Sequence, residues 1–123
     1  MQVRSADAAE REALARLWHQ GWHDAHAELV PPELTRLRTL ESFRERLGAL
    51  LPEIRVAGPV GTPVGFCLTR RDELYQFYVA SELRGRGVAA ALIADAEAQI
   101  AERGAHTAWL ACAVGNRRAA RFL

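Results

Sequence analysis

Residues 73–89 read Glu-Leu-Tyr-Gln-Phe-Tyr-Val-Ala-Ser-Glu-Leu-Arg-Gly-Arg-Gly-Val-Ala, and the rest of the chain is arranged around them. Aromatic and aliphatic side chains dominate positions 74–79, which predicts a strand. Two glycines flanked by arginines follow at 84–87, and the alanine-rich sequence after them predicts a helix. The first N–H groups of a helix have no partner within it and readily bind anions. The stretch therefore predicts an anion-binding site where a strand passes into a helix.

The composition indicates one soluble domain. A chain of 123 residues is long enough to bury its own core, and half of the residues are hydrophobic. The net charge of +1 gives no overall field that would draw nucleic acid or a membrane surface, so an anion site must be local. All 16 basic residues are arginine, which excludes mechanisms that need a catalytic lysine or a phosphate-loop lysine.

The first half of the chain predicts one strand and two helices. Gln2–Arg4 reads as a short strand, and Asp7 with Glu10 forms a capping-box pattern before a helix. That helix has apolar residues at helical spacing: Leu14, Leu17, Trp18 and Trp22. Gly21 weakens it, and Pro31-Pro32 ends whatever continues beyond. A second helix between Thr39 and Pro52 has the apolar series Leu40, Phe43, Leu47 and Leu51.

The second half predicts four strands and two helices. Strands at Ile54–Ala57 and Val64–Thr69 flank a turn at 58–63, and the strand Leu74–Val79 follows. A helix over Gly87–Arg103, closed by Gly104, connects it to a strand over Thr107–Val114, and a helix begins at Arg117. A strand, a crossover helix and a second strand imply one parallel pair. We therefore predict an α+β fold (an α/β arrangement on a mixed sheet), in the order β-α-α-β-β-β-α-β-α, as a single domain over residues 1–123.

The cysteines and the N-terminus indicate a cytoplasmic protein. Cys67 and Cys112 lie in apolar runs without a paired-spacing motif, so we predict two reduced core residues. No basic-then-apolar signal pattern opens the sequence, and no apolar run approaches the length of a membrane span.

The glycine loop also matches the loose dinucleotide pattern Gly-x-Gly-x-x-Gly/Ala over residues 85–90. Three observations count against a dinucleotide. Residues 80–84 separate the glycines from the strand, Gly115-Asn116 stands where an acidic residue is needed, and the loop follows a late strand. A nucleotide-hydrolysing loop is excluded, because the sequence has no Gly-Lys-Ser/Thr. A coenzyme pyrophosphate is our hypothesis for the anion, and a solvated Arg-Gly loop without ligand is its alternative.

Three motifs together point to a known family. Residues 84–89, Arg-Gly-Arg-Gly-Val-Ala, fit the signature Arg/Gln-x-x-Gly-x-Gly/Ala, and Phe77-Tyr78-Val79 stands at the usual distance before it. Asn116-Arg117-Arg118-Ala119 fits the pattern Asn-x-x-Ala at the start of a helix. With the element order from Gln2 to Leu123, these motifs resemble the GNAT superfamily of acyl-CoA N-acyltransferases.

The resemblance implies acetyl-CoA or coenzyme A as the cosubstrate, without a metal. Backbone amides at the helix N-terminus would hold the pyrophosphate, and the strand before the loop would pair with the pantetheine arm like an added strand. The predicted coenzyme-binding residues are Phe77, Tyr78, Val79, Arg84, Gly85, Arg86, Gly87, Val88, Ala89 and Asn116.

The implied reaction is direct attack of an amine on the acetyl thioester, and it requires a base that takes the proton of the ammonium ion. Glu73, eleven residues before Arg84, stands where some family members carry a catalytic glutamate. The alternative is a surface carboxylate paired with Arg70 or Arg71. The amide of Val79 is the predicted donor to the thioester carbonyl.

Two features depart from the family pattern. Leu123 occupies the usual position of the tyrosine that protonates the leaving thiolate, so Tyr78 or Ser81 is the predicted substitute. Family members also continue with two further strands, whereas the residues given stop in the helix. We therefore expect an exposed sheet edge and either self-association, as in a homodimer, or low stability as a monomer.

The acceptor side is expected from residues 18–51. Three histidines are spaced i, i+4 and i+7: His19, His23 and His26. A zinc site is disfavoured, because Gly21 interrupts the helix and no motif supplies a base that activates water. We predict instead that Trp22, His23 and His26 line the acceptor pocket, with a plain surface role as the alternative. Asp24 and Glu28 are suited to attract a cationic amine.

The sequence thus predicts an N-acetyltransferase that moves an acetyl group from acetyl-CoA to a primary amine, either a small molecule or a peptide N-terminus. The alternative is a catalytically weak coenzyme A-binding module. Binding of nucleic acid is disfavoured, because the loop arginines are not interleaved with aromatic residues: Arg84, Arg86, Arg117, Arg118 and Arg121.

Overall fold

The structure, a computed structural model, describes residues 2–26, 29–83 and 85–105. Its strands are β1 (Val3–Ser5), β2 (Ile54–Ala57), β3 (Gly65–Arg70) and β4 (Glu73–Val79). Its helices are α1 (Arg11–His26), α2 (Pro32–Leu37), α3 (Leu40–Leu50) and α4 (Val88–Glu102). Short 3-10 turns lie at Ala8–Glu10, Leu51–Glu53 and Ser81–Leu83. Each predicted strand and helix within the described ranges is confirmed, and strand bounds agree to within one residue.

The four described strands form an antiparallel sheet in the order β1-β2-β3-β4. Helices α1 and α3 pack on one face of this sheet and α4 on the other, so the predicted α+β class is confirmed. The predicted strand at 107–114, its parallel pairing and the helix from Arg117 lie outside the described residues.

Two details of the helical region differ from prediction. Pro31-Pro32 does more than end a helix, because Pro32 is the first residue of α2. A backbone N–H at that position would have no acceptor within the helix, so its absence in proline is not unfavourable. The prediction that Gly21 interrupts the first helix is wrong, since α1 continues to His26. Gly21 is buried, and a Cβ on it would lie 3.0 Å from Cγ of Tyr78. The glycine therefore allows the Tyr78 ring to pack directly on the helix.

The apolar side chains divide into two clusters, one on each face of the sheet. The first joins α1 and α3 to the sheet through Leu14, Trp18, Phe43, Leu47, Val56, Phe66 and Leu68. The second lies under α4 and includes Ala57, Cys67, Leu74, Val88, Leu92 and Ala96. Cys67 is a free, fully buried thiol, as predicted, and burial raises its pKa to about 12. Cys112 lies outside the described residues.

A chain of polar contacts holds α4 on the sheet. Arg55 of β2 donates two hydrogen bonds to Asp95 of α4, at 3.0 and 3.1 Å. Gln99 donates to the same carboxylate at 2.7 Å and accepts from the Thr69 hydroxyl at 3.1 Å. Arg103 donates to that hydroxyl at 2.7 Å. Donors and acceptors alternate along this chain, so each group satisfies the next and the register of α4 on the sheet is fixed.

Glu10 is a fully buried carboxylate that ties the N-terminus to the β2–β3 turn. Arg4 donates to both of its oxygens at 2.8 Å, and the amides of Asp7 and Gly61 donate at 2.9 and 3.0 Å. Asp7 also caps the first turn, so the predicted capping box is confirmed. The hydrogen bonds from Arg4, with those backbone amides, lower the pKa of Glu10 from 4.5 to about 2.

We expect Glu10→Gln to destabilise the protein at pH 7 and to lose that effect in acid. A carboxyl pKa that falls from 4.5 to about 2 on folding corresponds to about 3 kcal/mol of stability. This stabilisation is complete above pH 4.5 and disappears as the pH falls toward 2. Urea unfolding at several pH values measures it, with Glu12→Gln, at an exposed salt bridge, as the control. If the free energy of unfolding differed between Glu10→Gln and the unchanged protein by the same amount at pH 7 and at pH 3, this role of Glu10 would be contradicted.

Candidate active site

The loop after β4 contains two glycines in a left-handed conformation. Gly85 has φ of +81° and Gly87 has φ of +84°, which other residues adopt only with strain. The amide of Arg86 donates to the carbonyl of Leu83 at 3.3 Å, which closes a tight turn before α4. The glycines therefore direct the chain from the end of the strand straight into the first turn of the helix.

The N-terminus of α4 is arranged to receive a negative charge. Gly87 provides no side-chain cap, and the first turn contains no acidic residue. The first intrahelical bond runs from the amide of Ala91 to the carbonyl of Gly87 at 3.1 Å, so the N–H groups of residues 88–90 have no acceptor within the helix. Among the described residues, no atom would lie within 4 Å of a Cβ on Gly85 or Gly87. A phosphate can thus approach the backbone closely.

Gly65 of β3 positions this helix end, and the sequence reasoning missed it. A Cβ on Gly65 would lie 2.9 Å from Leu92 Cδ1 and 3.1 Å from both Val88 Cγ1 and the Tyr78 carbonyl. Only glycine allows the first turn of α4 to rest so closely on the sheet. A glycine inside a predicted strand was the available signal, since it often marks a close backbone approach.

One edge of β4 faces away from β3. The amide of Ala80 donates to the carbonyl of Val64 at 2.8 Å, in register with the β3–β4 ladder. Because N–H groups alternate in direction along an antiparallel strand, the amide of Tyr78 also points toward β3. The amides of Phe77 and Val79 therefore point toward the opposite edge, which leads to the glycine loop.

A β-bulge at Tyr75 changes which side chains of β4 face α1 and α3. Residue Leu68 of β3 pairs with Gln76, whereas the next residue, Thr69, pairs with Leu74, so Tyr75 is the extra residue. Tyr75 consequently packs against the cluster under α1 and α3, as Tyr78 does. Leu74 packs under α4. Because successive side chains of a strand point to opposite faces of the sheet, the preceding residue, Glu73, lies on the α1–α3 face.

Glu73 is a half-buried residue at the head of β4, as predicted. It stands directly opposite Arg70 in the ladder, but no salt bridge between the two is present in the described part of the chain. The pairing with Arg70 or Arg71 that the surface interpretation requires is therefore not formed there.

Tyr78 lies in the core between α1 and the sheet, and only 9% of it is exposed. Its ring centroid is 5.7 Å from that of Phe66, and burial raises the pKa of its hydroxyl to about 12. The hydroxyl lies near the Trp18 indole without the geometry of a hydrogen bond. At neutral pH it therefore remains a protonated donor.

The predicted acceptor residues cluster at the end of α1. Trp22 is buried and stacks on the ring of His26 at 5.1 Å. His26 Nδ1 lies 3.1 Å from the Trp22 carbonyl, and His23 Nε2 lies 2.8 Å from the Arg38 carbonyl. Burial and the neighbouring His23 lower the pKa of His19. Within the described ranges, no group of three or more possible ligands could hold a metal ion.

Some predicted residues fall outside the description. These residues are Arg84, Asn116 and Leu123, which lie outside the described ranges. Among the residues described, no helix is both long and apolar enough to cross a membrane.

Comparison with known families identifies the chain. The model of the acetyltransferase (GNAT) family matches residues 11–123, which is most of the sequence. The chain therefore belongs to the GNAT acetyltransferase family and is, by that membership, an acetyl-CoA-dependent N-acetyltransferase. No curated protein matches the sequence.

Solved structures share the fold. The PaiA N-acetyltransferase of Thermoplasma acidophilum, in complex with coenzyme A, has 18% identity and a TM-score of 0.73, over 98% of this chain and 84% of that one. The ribosomal-protein-alanine N-acetyltransferase of Brucella melitensis has 23% identity and a TM-score of 0.71, over 99% and 80%. A probable acetyltransferase has 22% identity and a TM-score of 0.74, over 99% and 85%.

We expect Gly65→Ala to displace the first turn of α4. The added Cβ would overlap Leu92 and the Tyr78 carbonyl, and overpacking of this kind costs about 1–3 kcal/mol. Denaturant unfolding measures the loss. Gly48→Ala is the control: Gly48 is exposed in α3, and a Cβ there meets the flexible end of Arg11, so alanine should stabilise the helix. Equal effects of the two substitutions would contradict the proposed close contact.

Proposed function

We propose that the protein transfers the acetyl group of acetyl-CoA to a primary amine, either a small molecule or a peptide N-terminus, by direct attack. The observation that carries this proposal is the uncapped N-terminus of α4, reached through two left-handed glycines from the outward-facing edge of β4. The cytoplasmic location and the homodimer stay predictions from the sequence.

The described residues fit the pyrophosphate of coenzyme A. The amides of residues 87–89 would hold its oxygens, because the N-terminal N–H groups of α4 lack helical acceptors and the partial positive charge of the helix favours an anion. Arg86 is exposed beside them and adds a full positive charge. The complex of the Thermoplasma acidophilum protein with coenzyme A supports this assignment.

The outward edge of β4 fits the pantetheine arm. The outward backbone edge of this strand would pair with the amide groups of the arm, in the manner of an added strand. When bound, acetyl-CoA supplies the activated acetyl thioester. Because the pyrophosphate site follows Val79 in the chain, the arm runs back along the strand toward Glu73. The amide of Phe77 is therefore a second candidate, beside that of Val79, for polarising the thioester carbonyl.

Glu73 fits the role of base. It is four residues before Phe77, about 13 Å along an extended strand, and six before Val79, about 20 Å. A proton relay through water would span the shorter interval more easily, which favours the Phe77 amide as the partner of Glu73. Tyr78 is the described candidate for the acid, since its hydroxyl stays protonated at neutral pH.

The acceptor is the less defined partner. The Brucella melitensis protein is named for acetylation of an alanine in a ribosomal protein, which supports a peptide N-terminus as one acceptor class. Calorimetry with acetyl-CoA, followed by thiol release across a panel of amines and peptides, tests the proposal. Binding without turnover would instead favour a coenzyme A-binding module, and absence of binding would overturn both.

We expect Gly87→Ala to weaken coenzyme A binding by about tenfold or more, because the Cβ would intrude on the phosphate and strain the turn. Gly104→Ala is a matched control at the other end of α4. Gly104 has φ of +87° and, like Gly87, no atom of the described part of the chain within 4 Å of an added Cβ. Both variants should lose similar stability in thermal unfolding, but only Gly87→Ala should lose affinity in calorimetry. Equal affinities would place the pyrophosphate elsewhere.

We expect Glu73→Gln to lower turnover by about 10²–10⁴-fold while the affinity for coenzyme A is kept. The loss should be greatest at low pH, where more of the acceptor amine is protonated and the base is most needed. Steady-state rates from pH 6 to 9 measure it, with Glu97→Gln on the exposed face of α4 as the control. Rates that match the unchanged protein across this range would remove Glu73 as the base.

A further inference from the structure

Three arginines surround the α1–α3 face of β4. Each guanidinium carbon lies near an aromatic ring centroid: Arg46 at 4.3 Å from Trp18, Arg70 at 4.3 Å from Tyr75 and Arg38 at 6.0 Å from Trp22. We call these three residues the arginine cluster. The bulge directs the ring of Tyr75 toward α1 and α3, the face on which Glu73 also lies. The arginine cluster and Glu73 therefore share one face of the sheet.

The charges of the arginine cluster are within reach of one another. Burial, and then repulsion from Arg38, lowers the pKa of Arg46, which also contacts the Tyr75 hydroxyl. Arg70 stacks on the ring of the same tyrosine. No salt bridge in the described part of the chain joins any member of the cluster to a carboxylate. Positive charge thus accumulates here without an ionic partner from those residues.

Unpartnered polar atoms lie in the same region. Among the described residues, Thr35 Oγ1 and Arg38 Nε are buried and have no hydrogen-bond partner. Arg38 Nε can only donate. Native proteins seldom leave a buried donor without an acceptor, because its lost contact with water is then not compensated. The unpaired donor of Arg38, together with the charges of Arg46 and Arg70, suits an anion with several oxygen atoms.

We propose that the acceptor carries, besides its amine, an anionic group that Arg38 and Arg46 bind. This inference rests on the proposed function, because it describes the acceptor of the same reaction. Two half-buried guanidinium groups can each form paired hydrogen bonds with a carboxylate or a phosphate. With the anion held against α3, the amine of a small acceptor is directed toward Glu73 and the outward edge of β4. Such an acceptor is a zwitterion at neutral pH rather than a purely cationic amine.

The competing explanation is structural. Arginine side chains often cover aromatic surface with their apolar stems and gain cation–π attraction. That role predicts that a substitution lowers the stability of the protein and changes kcat/KM by the same factor for every acceptor. Recognition of an anion predicts a change in kcat/KM that depends on the charge of the acceptor. The two explanations therefore predict different results.

The first experiment compares glycine, glycinamide and aminomethylphosphonate as acceptors, with acetyl-CoA saturating. We expect kcat/KM for the two anionic acceptors to exceed that for glycinamide by about tenfold or more. The amine of glycinamide is the less basic, so intrinsic reactivity at neutral pH favours it and opposes the expected order. A better rate with glycine than with aminomethylphosphonate identifies a carboxylate, and the reverse order identifies a phosphate.

The outcomes separate the two proposals. If acetyl-CoA does not bind, the proposed function fails and this inference fails with it. If acetyl-CoA binds and amines are acetylated, but glycinamide is used as well as glycine and aminomethylphosphonate, only the anionic acceptor is overturned.

The second experiment uses variants of the arginine cluster. Arg46→Gln should bring the ratio of kcat/KM for the preferred anionic acceptor to that for glycinamide close to one, mainly through KM. Arg38→Gln, which removes a more distant ring contact, provides the same readout if Arg46→Gln does not fold. Arg16→Gln, at an exposed salt bridge of α1, is the matched control and should keep the original ratio. A ratio that stays unchanged in both cluster variants would leave these arginines a packing role only and would overturn the inference.

Discussion

The close contact between Gly65 of β3 and the first turn of α4 is the constraint on which the site depends. Val88, Leu92 and the carbonyl of Tyr78 converge within about 3 Å of the place where a side chain would begin. The helix N-terminus therefore lies against the C-terminal end of β4, and the glycine loop has only a short distance to cross. The unpaired amides at the N-terminus of α4 consequently lie close to the outward edge of β4.

The edge and the face of strand β4 are separate surfaces, and we propose a different partner for each. Its outward edge presents the amides of Phe77 and Val79, which suit the pantetheine arm. Its α1–α3 face carries Glu73 and, because of the bulge, Tyr75. Arg70 lies over the ring of that tyrosine and Arg46 contacts its hydroxyl, so part of the charge that would bind an acceptor is built on the same irregularity of the strand. The polar chain from Arg55 to Arg103 holds α4 in place on the far side.

Local signals in the sequence were sufficient for most elements. The Asp7–Glu10 capping box, the Thr39 cap and the turn at Gly104 each form as their residue types predict, because these interactions span only a few residues. Gly21 shows the limit of that reasoning. Its low helix propensity suggested an interruption, yet burial against Tyr78 outweighs a cost of about 1 kcal/mol.

The sequence by itself determined the strand–glycine loop–helix motif and the family, and it predicted the coenzyme-binding residues, because each depends on residue types at fixed spacing. Only the tertiary structure decided which amides of β4 point outward, that Gly65 sets the position of α4, and that Arg38, Arg46 and Arg70 converge on aromatic rings. These features join segments that are tens of residues apart, and the bulge that aligns them depends on pairing between strands. Residues 73–89 thus provide the parts of the proposed coenzyme site, and the packing of distant helices determines what can be presented to it.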